Sequence, residues 1–236
     1  MKMGRYILTS SILISAILLF FITSCNNGGD GLVDTGKSEV KDADGNVYQT
    51  VVIGTQTWMV ENLKTTKYND GSSIPLITDN LVWSKLSTPG YCWYKNDEVA
   101  YKNPYGALYN WYAVATGKLC PKGWHAAADS DWAKLGEFLG GDAMAAGKLK
   151  EAGTAHWKDP NKGATNETGF SALPIGGRFN SGAFNEDLSS YGYWWISPEK
   201  DETNPVYLSM YFNSTALSKS TYINWVVGFS VRCVKD

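Results

Sequence analysis

Histidine is scarce in this chain: His125 and His156 are the only two in 236 residues. A structural zinc site takes about four Cys or His ligands at short spacing, and two histidines with four cysteines and no C-x-x-C do not supply one. His125, beside Trp124, is expected to be packed and hydrogen-bonded, whereas His156-Trp157 in a glycine-rich stretch fits either a structural or a functional role. Excess charge of one sign is also missing. Lys and Arg number 21 against 23 Asp and Glu, a formal charge of −2, so no basic surface for nucleic acid is implied. There is no G-x-S-x-G, P-loop or HExxH. Glu186, Asp187, Glu199, Asp201 and Glu202 lie in turn-like stretches that read as solvated surface rather than the converging carboxylate pair of a glycosidase. No catalytic residue, metal or cofactor is therefore expected, and the chain is not expected to be an enzyme. Asp42-x-Asp44-x-Asn46 begins like a calcium loop, but Val47 and Ile53 stand where an EF-hand needs Gly and Glu. A turn is the better reading.

The run from Tyr6 to Ile22, preceded by Lys2 and Arg5, has the layout of a secretory leader. Ile22-Thr23-Ser24-Cys25 resembles the lipobox of bacterial lipoproteins, which implies cleavage after residue 24 and acylation of Cys25. The alternative is an uncleaved anchor, since about seventeen apolar residues approach the lower limit for a span. The first reading makes the membrane a partner through lipid and places the rest outside the cytoplasm. Asn26 in place of an aspartate favours the outer membrane, with the leaflet open. Residues 25–41 are glycine-rich and polar, as in a flexible linker. Loss of Lys2 and Arg5 with the leader takes the formal charge to −4.

Residues 42–236 are enough for one domain. With ten Trp and fourteen Tyr, they suit short strands and shaped loops better than a helical bundle. Val47–Ile53 and Thr57–Val60 predict a hairpin. Leu108, Trp111 and Tyr112 at helical spacing predict a helix over 105–114. Trp132, Leu135, Phe138 and Leu139 predict a second over 130–139, with Asp129 or Ser130 as N-cap. A short helix is expected near 142–151, and strands at 170–173, 193–197, 206–212 and 226–234. Helices in the first half and an antiparallel sheet mostly from the second give an α+β class.

Several segments in order carry a family resemblance: Asp44-Gly45-Asn46-Val47-Tyr48, Thr57-Trp58-Met59, Tyr105 to Trp111, Cys120-Pro121-Lys122-Gly123-Trp124-His125, Gly192-Tyr193-Trp194-Trp195 and Gly228 to Val234. Together they resemble the Fibrobacter succinogenes major paralogous domain, found in secreted and surface proteins of Fibrobacter and Bacteroidetes. The resemblance implies a C-type lectin-like fold, related to formylglycine-generating enzymes, with a short antiparallel sheet, two main helices and long loops. One departure is Ala127-Ala128-Asp129-Ser130-Asp131-Trp132, which loses the Thr/Glu capping box of the family.

With Cys25 assigned to lipid, a pair among Cys92, Cys120 and Cys233 is expected to bridge in an oxidising compartment. The lectin-like resemblance implies Cys120 with Cys233. Cys92 is then a buried thiol or a competing partner. Copper chemistry of the related enzymes needs two late cysteines and their iron relatives need three histidines, and this chain offers neither. The late segment is dense in Tyr, Ser, Thr, Asn and Trp, the composition of paratope-like surfaces. Tyr207, Tyr211, Asn213, Tyr222, Asn224 and Trp225 are the candidate ligand-binding residues, while Trp194 and Trp195 are expected in the core. The functional expectation is a membrane-tethered binding module for a glycan or surface protein. The alternatives are a structural or fimbria-associated envelope component, and a degenerate relative of an enzyme fold with a reactive Cys92.

Overall fold

The computed structural model describes Met1 and residues 38–185, 187–198, 204–221 and 223–236. The described residues from 38 onward belong to one compact unit. Its first sheet is antiparallel and five-stranded, β1 Glu39–Lys41, β2 Val47–Ile53, β3 Gln56–Met59, β6 Trp124–Ala126 and β11 Cys233–Lys235, in the order β1-β2-β3-β11-β6. The expected hairpin is β2–β3. Strand β1 lies inside the stretch read as linker. It is held by backbone pairing and by Gln49, whose side chain donates to Glu39 at 2.7 Å, so no apolar period announced it.

Two three-stranded antiparallel sheets complete the framework. One is β4 Tyr91–Cys92, β5 Leu108–Asn110 and β10 Gly228–Phe229, in the order β10-β5-β4. The other is β7 Tyr191–Ile196, β8 Val206–Tyr211 and β9 Ser218–Ser220. The helices are short: α1 Asn80–Ser84, α2 Glu98–Tyr105, α3 Trp111–Val114, α4 Asp129–Phe138 and α5 Asp142–Leu149. The α+β class stands. The five-stranded sheet, however, takes three of its strands, β1 to β3, from the first half of the chain.

Other differences have local causes. The helix expected over 105–114 is a strand followed by one turn, because Asn110 accepts from Gly90 N and Ala113 N, ending β5 and capping α3. Residues 170–173 form no strand; Ala172 makes a single bridge to Lys150, and the buried Phe170 sits in the core from a loop. The strand expected over 226–234 splits between two sheets, with Val231 O accepting from Leu63 N at the crossover. Helix α4 begins one residue early, with Ala128 as N-cap. Alanine carries no acceptor, but Asp131 Oδ2 accepts from Ala128 N at 2.9 Å, so the reciprocal half of a capping box survives. On α4, Trp132, Leu135 and Leu139 are buried while Phe138 is half exposed over Gly54.

Two of three apolar clusters meet along β7. Trp195 joins Tyr109, Trp111, Phe229 and Cys233; Trp194 joins Trp58, Trp132, Trp157 and Phe170; a smaller group holds Trp83, Cys92, Tyr94 and Ile175. Both tryptophans expected in the core are there. Their indole nitrogens donate to Tyr109 O at 2.7 Å and Asn62 Oδ1 at 2.8 Å, removing the cost of burying an unpaired donor. A Cβ on Gly192 would lie 2.3 Å from the Trp194 ring. Cys120 and Cys233 form a disulfide with Cα atoms 6.0 Å apart, 113 residues apart in sequence. By the loop-entropy argument it is worth up to about 5 kcal/mol.

Candidate functional site

Residues of three connecting segments converge beside β8: the turn at 179–182, the Asn204-Pro205 lead-in, and Thr221 with residues 223–227. They enclose a cleft of about 740 Å³. The first segment is stapled by Arg178, which is fully buried. Its Nε donates to Gly182 O at 2.9 Å, and Nη2 donates to Thr78 O at 2.9 Å and Asn80 Oδ1 at 2.8 Å. Its guanidinium lies over Trp83 at 4.5 Å and Phe184 at 4.9 Å. Gly182, at φ +85°, approaches Asn80 so closely that a Cβ would sit 2.4 Å from its carbonyl oxygen. The third segment is fixed by Trp225 O, which accepts from Trp111 N at 2.9 Å, and by Asn224 Oδ1, which accepts from Val226 N at 3.1 Å.

The cleft wall carries the exposed Trp225, packed on Tyr112 at 5.2 Å, with Phe179 and Ile223. Its polar groups are the exposed side chains of Asn180, Asn204, Thr221 and Asn224. Among the described residues, no charged side chain lines it. Asn224 and Trp225, consecutive in the chain, both line it.

Tyr207 and Tyr211 are not among the residues that line the cleft. Phe229 of β10 and Tyr193, Tyr191 and Tyr211 of β7 and β8 stack in succession at 4.7, 5.7 and 4.3 Å. Tyr207 packs edge-on to Tyr193. The ring faces are spent on one another. Burial pushes the Tyr193 phenol up to about 12, and the hydrogen bond shared with Tyr211 raises that of Tyr191. Tyr211 lies roughly 20 Å from Pro205 at about 3.3 Å per residue, and exposed Asn213 lies beyond it. These two are therefore remote from the cleft. Tyr222, Cys25 and the leader lie outside the described residues, as do Glu186, Glu199, Asp201 and Glu202. Sequence reasoning missed Phe179, Asn180, Asn204, Thr221 and Ile223; the turn dipeptides Ser181-Gly182 and Asn204-Pro205 marked loops but not their convergence.

A second, smaller cavity of about 210 Å³ is lined by Glu61, Asn62, Glu151, His156, Ser171 and Arg232 among others. Arg232 is buried, and desolvation brings it down to about 9. It donates to Met59 O at 3.0 Å, Phe170 O at 2.9 Å, Asn62 Oδ1 at 2.9 Å and Val60 O. His156 Nδ1 faces the Glu151 carboxylate at 2.7 Å. Lys150, likewise buried, donates to Lys162 O, Tyr211 O and Ser214 O at 3.0 to 3.2 Å.

His125 is clamped between Asp131 at 2.9 Å and Asp236 at 2.7 Å. The Asp131 hydrogen bond, with that of Asp236, pushes it up to about 9 despite partial burial. Both ring nitrogens are occupied, in keeping with a packed residue. Asp42 accepts from Asp44 N, Asn46 N, Asn46 Nδ2 and Tyr48 Oη, the bonding of a turn. Cys92 is wholly buried, which pushes its thiol up to about 12 and leaves it protonated at neutral pH. Among the described residues, no three His, Cys, Asp or Glu side chains converge on a common point, and no helix is long and apolar enough to cross a membrane.

No curated protein and no solved structure matches the chain. The Fibrobacter succinogenes major domain family, in contrast, matches residues 51–235, and the chain belongs to that family.

Proposed function

We propose that the chain is a lipid-tethered, extracytoplasmic binding module of C-type lectin-like fold, which recognises a glycan or surface protein in the cleft beside Trp225. The observation that carries this reading is the cleft itself. An exposed indole and several side-chain amides face a volume within the range of ligand sites, about 300 to 1,000 Å³. Two features favour the lectin-like assignment. The N-terminal hairpin sits beside the terminal strand β11 in one sheet, and a disulfide ties the approach to α4 to that strand. Tethering rests on the leader, the lipobox-like Ile22 to Cys25 and the polar residues that follow.

The test is a glycan array and a cell-surface pull-down with the full chain, native and Trp225→Ala. Binding that weakens in the variant supports the reading; no binding in either assay, or binding indifferent to Trp225, overturns it. An envelope-assembly role finds one observation in its favour, since β9 is the unpaired edge of its sheet. That edge is three residues long and carries Lys219, ion-paired to Asp129 at 2.6 Å. A short, charged edge guards against strand addition, so the binding reading is preferred.

A further inference from the structure

We infer that Tyr191 and Tyr211 form a site of oxidative cross-linking, at which a one-electron oxidant joins the two phenols through a carbon–carbon bond and staples β7 to β8. The site is independent of what the cleft binds.

Tyr191 opens β7 and Tyr211 closes β8, and the antiparallel register sets the two directly opposite each other. Side chains so placed are cross-strand neighbours on one face of the sheet. Their ring centroids lie 4.3 Å apart and their planes within 21° of parallel, which brings ring carbons into van der Waals contact. Among the described residues, no other two tyrosine rings are as close. The hydroxyl ends meet as well, since the hydrogen bond shared with Tyr211 raises the Tyr191 phenol.

Stacking and access together set this pair apart. Tyr91 and Tyr109 are also directly opposite, across β4 and β5, but their centroids are 6.3 Å apart and both are buried. Tyr94 and Tyr101 meet edge-on at 5.0 Å, with Tyr94 buried. Tyr193 and Tyr207 meet edge-on at 5.9 Å, which aims an edge at a face rather than laying ring over ring. Tyr191 and Tyr211 are each partly exposed, so an oxidant in solution reaches them. Tyr193, stacked on Tyr191 at 5.7 Å, gives a radical formed there a short route to the same pair.

The chemistry balances within the pair and its oxidant. Each phenol gives up one electron and its hydroxyl proton, leaving a phenoxyl radical whose unpaired electron is shared with the ortho carbons. The two radicals combine to form one bond from a Cε of Tyr191 to a Cε of Tyr211. Each of those carbons then releases its hydrogen as a proton and each oxygen takes one up, which restores both aromatic rings. The pair loses two electrons and two protons in all. A haem peroxidase supplied with hydrogen peroxide accepts them, reducing one peroxide to two waters. The bond closes residues 191–211 into a ring that includes Asn204 and Pro205 of the cleft wall, and thiols do not reverse it.

The experiment treats the full chain with a haem peroxidase and hydrogen peroxide, isolates the monomer and digests it with trypsin. The expected result is blue dityrosine fluorescence in the monomer. Tryptic peptides 179–200 and 201–219 should be recovered as one species, two hydrogens lighter than their sum, with fragment ions placing the bond between Tyr191 and Tyr211. Tyr191→Phe and Tyr211→Phe keep the rings and should each remove most of the fluorescence, whereas Tyr91→Phe and Tyr207→Phe should retain it. Circular dichroism of each variant separates a lost phenol from a lost fold. Fluorescence that survives Tyr191→Phe or Tyr211→Phe overturns the inference, as does a bond mapped to another tyrosine, Tyr222 included. Cross-links found only between chains overturn it too. So does a native chain that stays uncoupled while free tyrosine couples under the same conditions.

Discussion

Two cavities of this domain place similar polar chemistry under opposite constraints. In the small cavity, Arg232 is buried and its hydrogen bonds go to carbonyls of Met59, Val60 and Phe170 and to the Asn62 amide, while His156 pairs with Glu151. In the cleft beside Trp225, the amides of Asn180 and Asn204 face solvent and belong to connecting segments. The first set of groups is spent on the fold. The second is free for the partner proposed above, and the contrast separates groups committed to the fold from groups still exposed to solvent.

The largest effect should come from the spent set. Arg232→Ala orphans several buried acceptors at once and is expected to cost about 3 to 5 kcal/mol, read by urea denaturation. A loss below about 1 kcal/mol would mean that water replaces the guanidinium, and the contrast would collapse. Removing the bridge with Cys120→Ser and Cys233→Ser should cost about 2 to 4 kcal/mol, measured the same way without reductant. Asn180→Ala and Asn204→Ala, by comparison, should stay within about 0.5 kcal/mol of the native chain.

A smaller effect sharpens the picture of His125. Its folded value of about 9 lies above the ordinary 6.5, so the protonated clamp stabilises the fold fully below about pH 6.5 and is lost as pH rises through 9. Because the ring is partly exposed, screening holds the gain under about 1 kcal/mol. His125→Gln should therefore flatten the stability profile between pH 6.5 and 9 and leave the alkaline end unchanged. The smallest expected signal is none at all. Cys92, buried and protonated, should resist a thiol reagent in the native chain and react only after unfolding, as located by peptide mass mapping. Native labelling of Cys92 would revive the degenerate-enzyme reading.

The pattern of legible and illegible features follows from range. The hairpin of β2 and β3 was readable because β-branched residues and a closing Gly54 are local signals, and α4 because Trp132, Leu135 and Leu139 repeat at helical spacing. Helix α2 was not, since Glu98 to Tyr105 shows no continuous apolar stripe and its backbone leaves the helical region at Asn103. Leu108, Trp111 and Tyr112 mimicked a helical face, while the capping of α3 by Asn110 depends on Gly90, twenty residues away. Of the candidate site, Asn224 and Trp225 were found from composition. Asn180 and Asn204 were not, because the turn that presents Asn180 is held by Arg178 bonds to carbonyls about a hundred residues distant. The disulfide was signalled by resemblance and not by spacing.

All three cleft-forming segments lie between Cys120 and Cys233 in the chain, inside the covalent ring those sulfurs close. A protease that nicks any one of them leaves a single molecule that migrates as two fragments only after reduction. The same closure lets these segments drift in length and composition while the pinned ends keep the sheet assembled, so one scaffold can carry many different binding mouths.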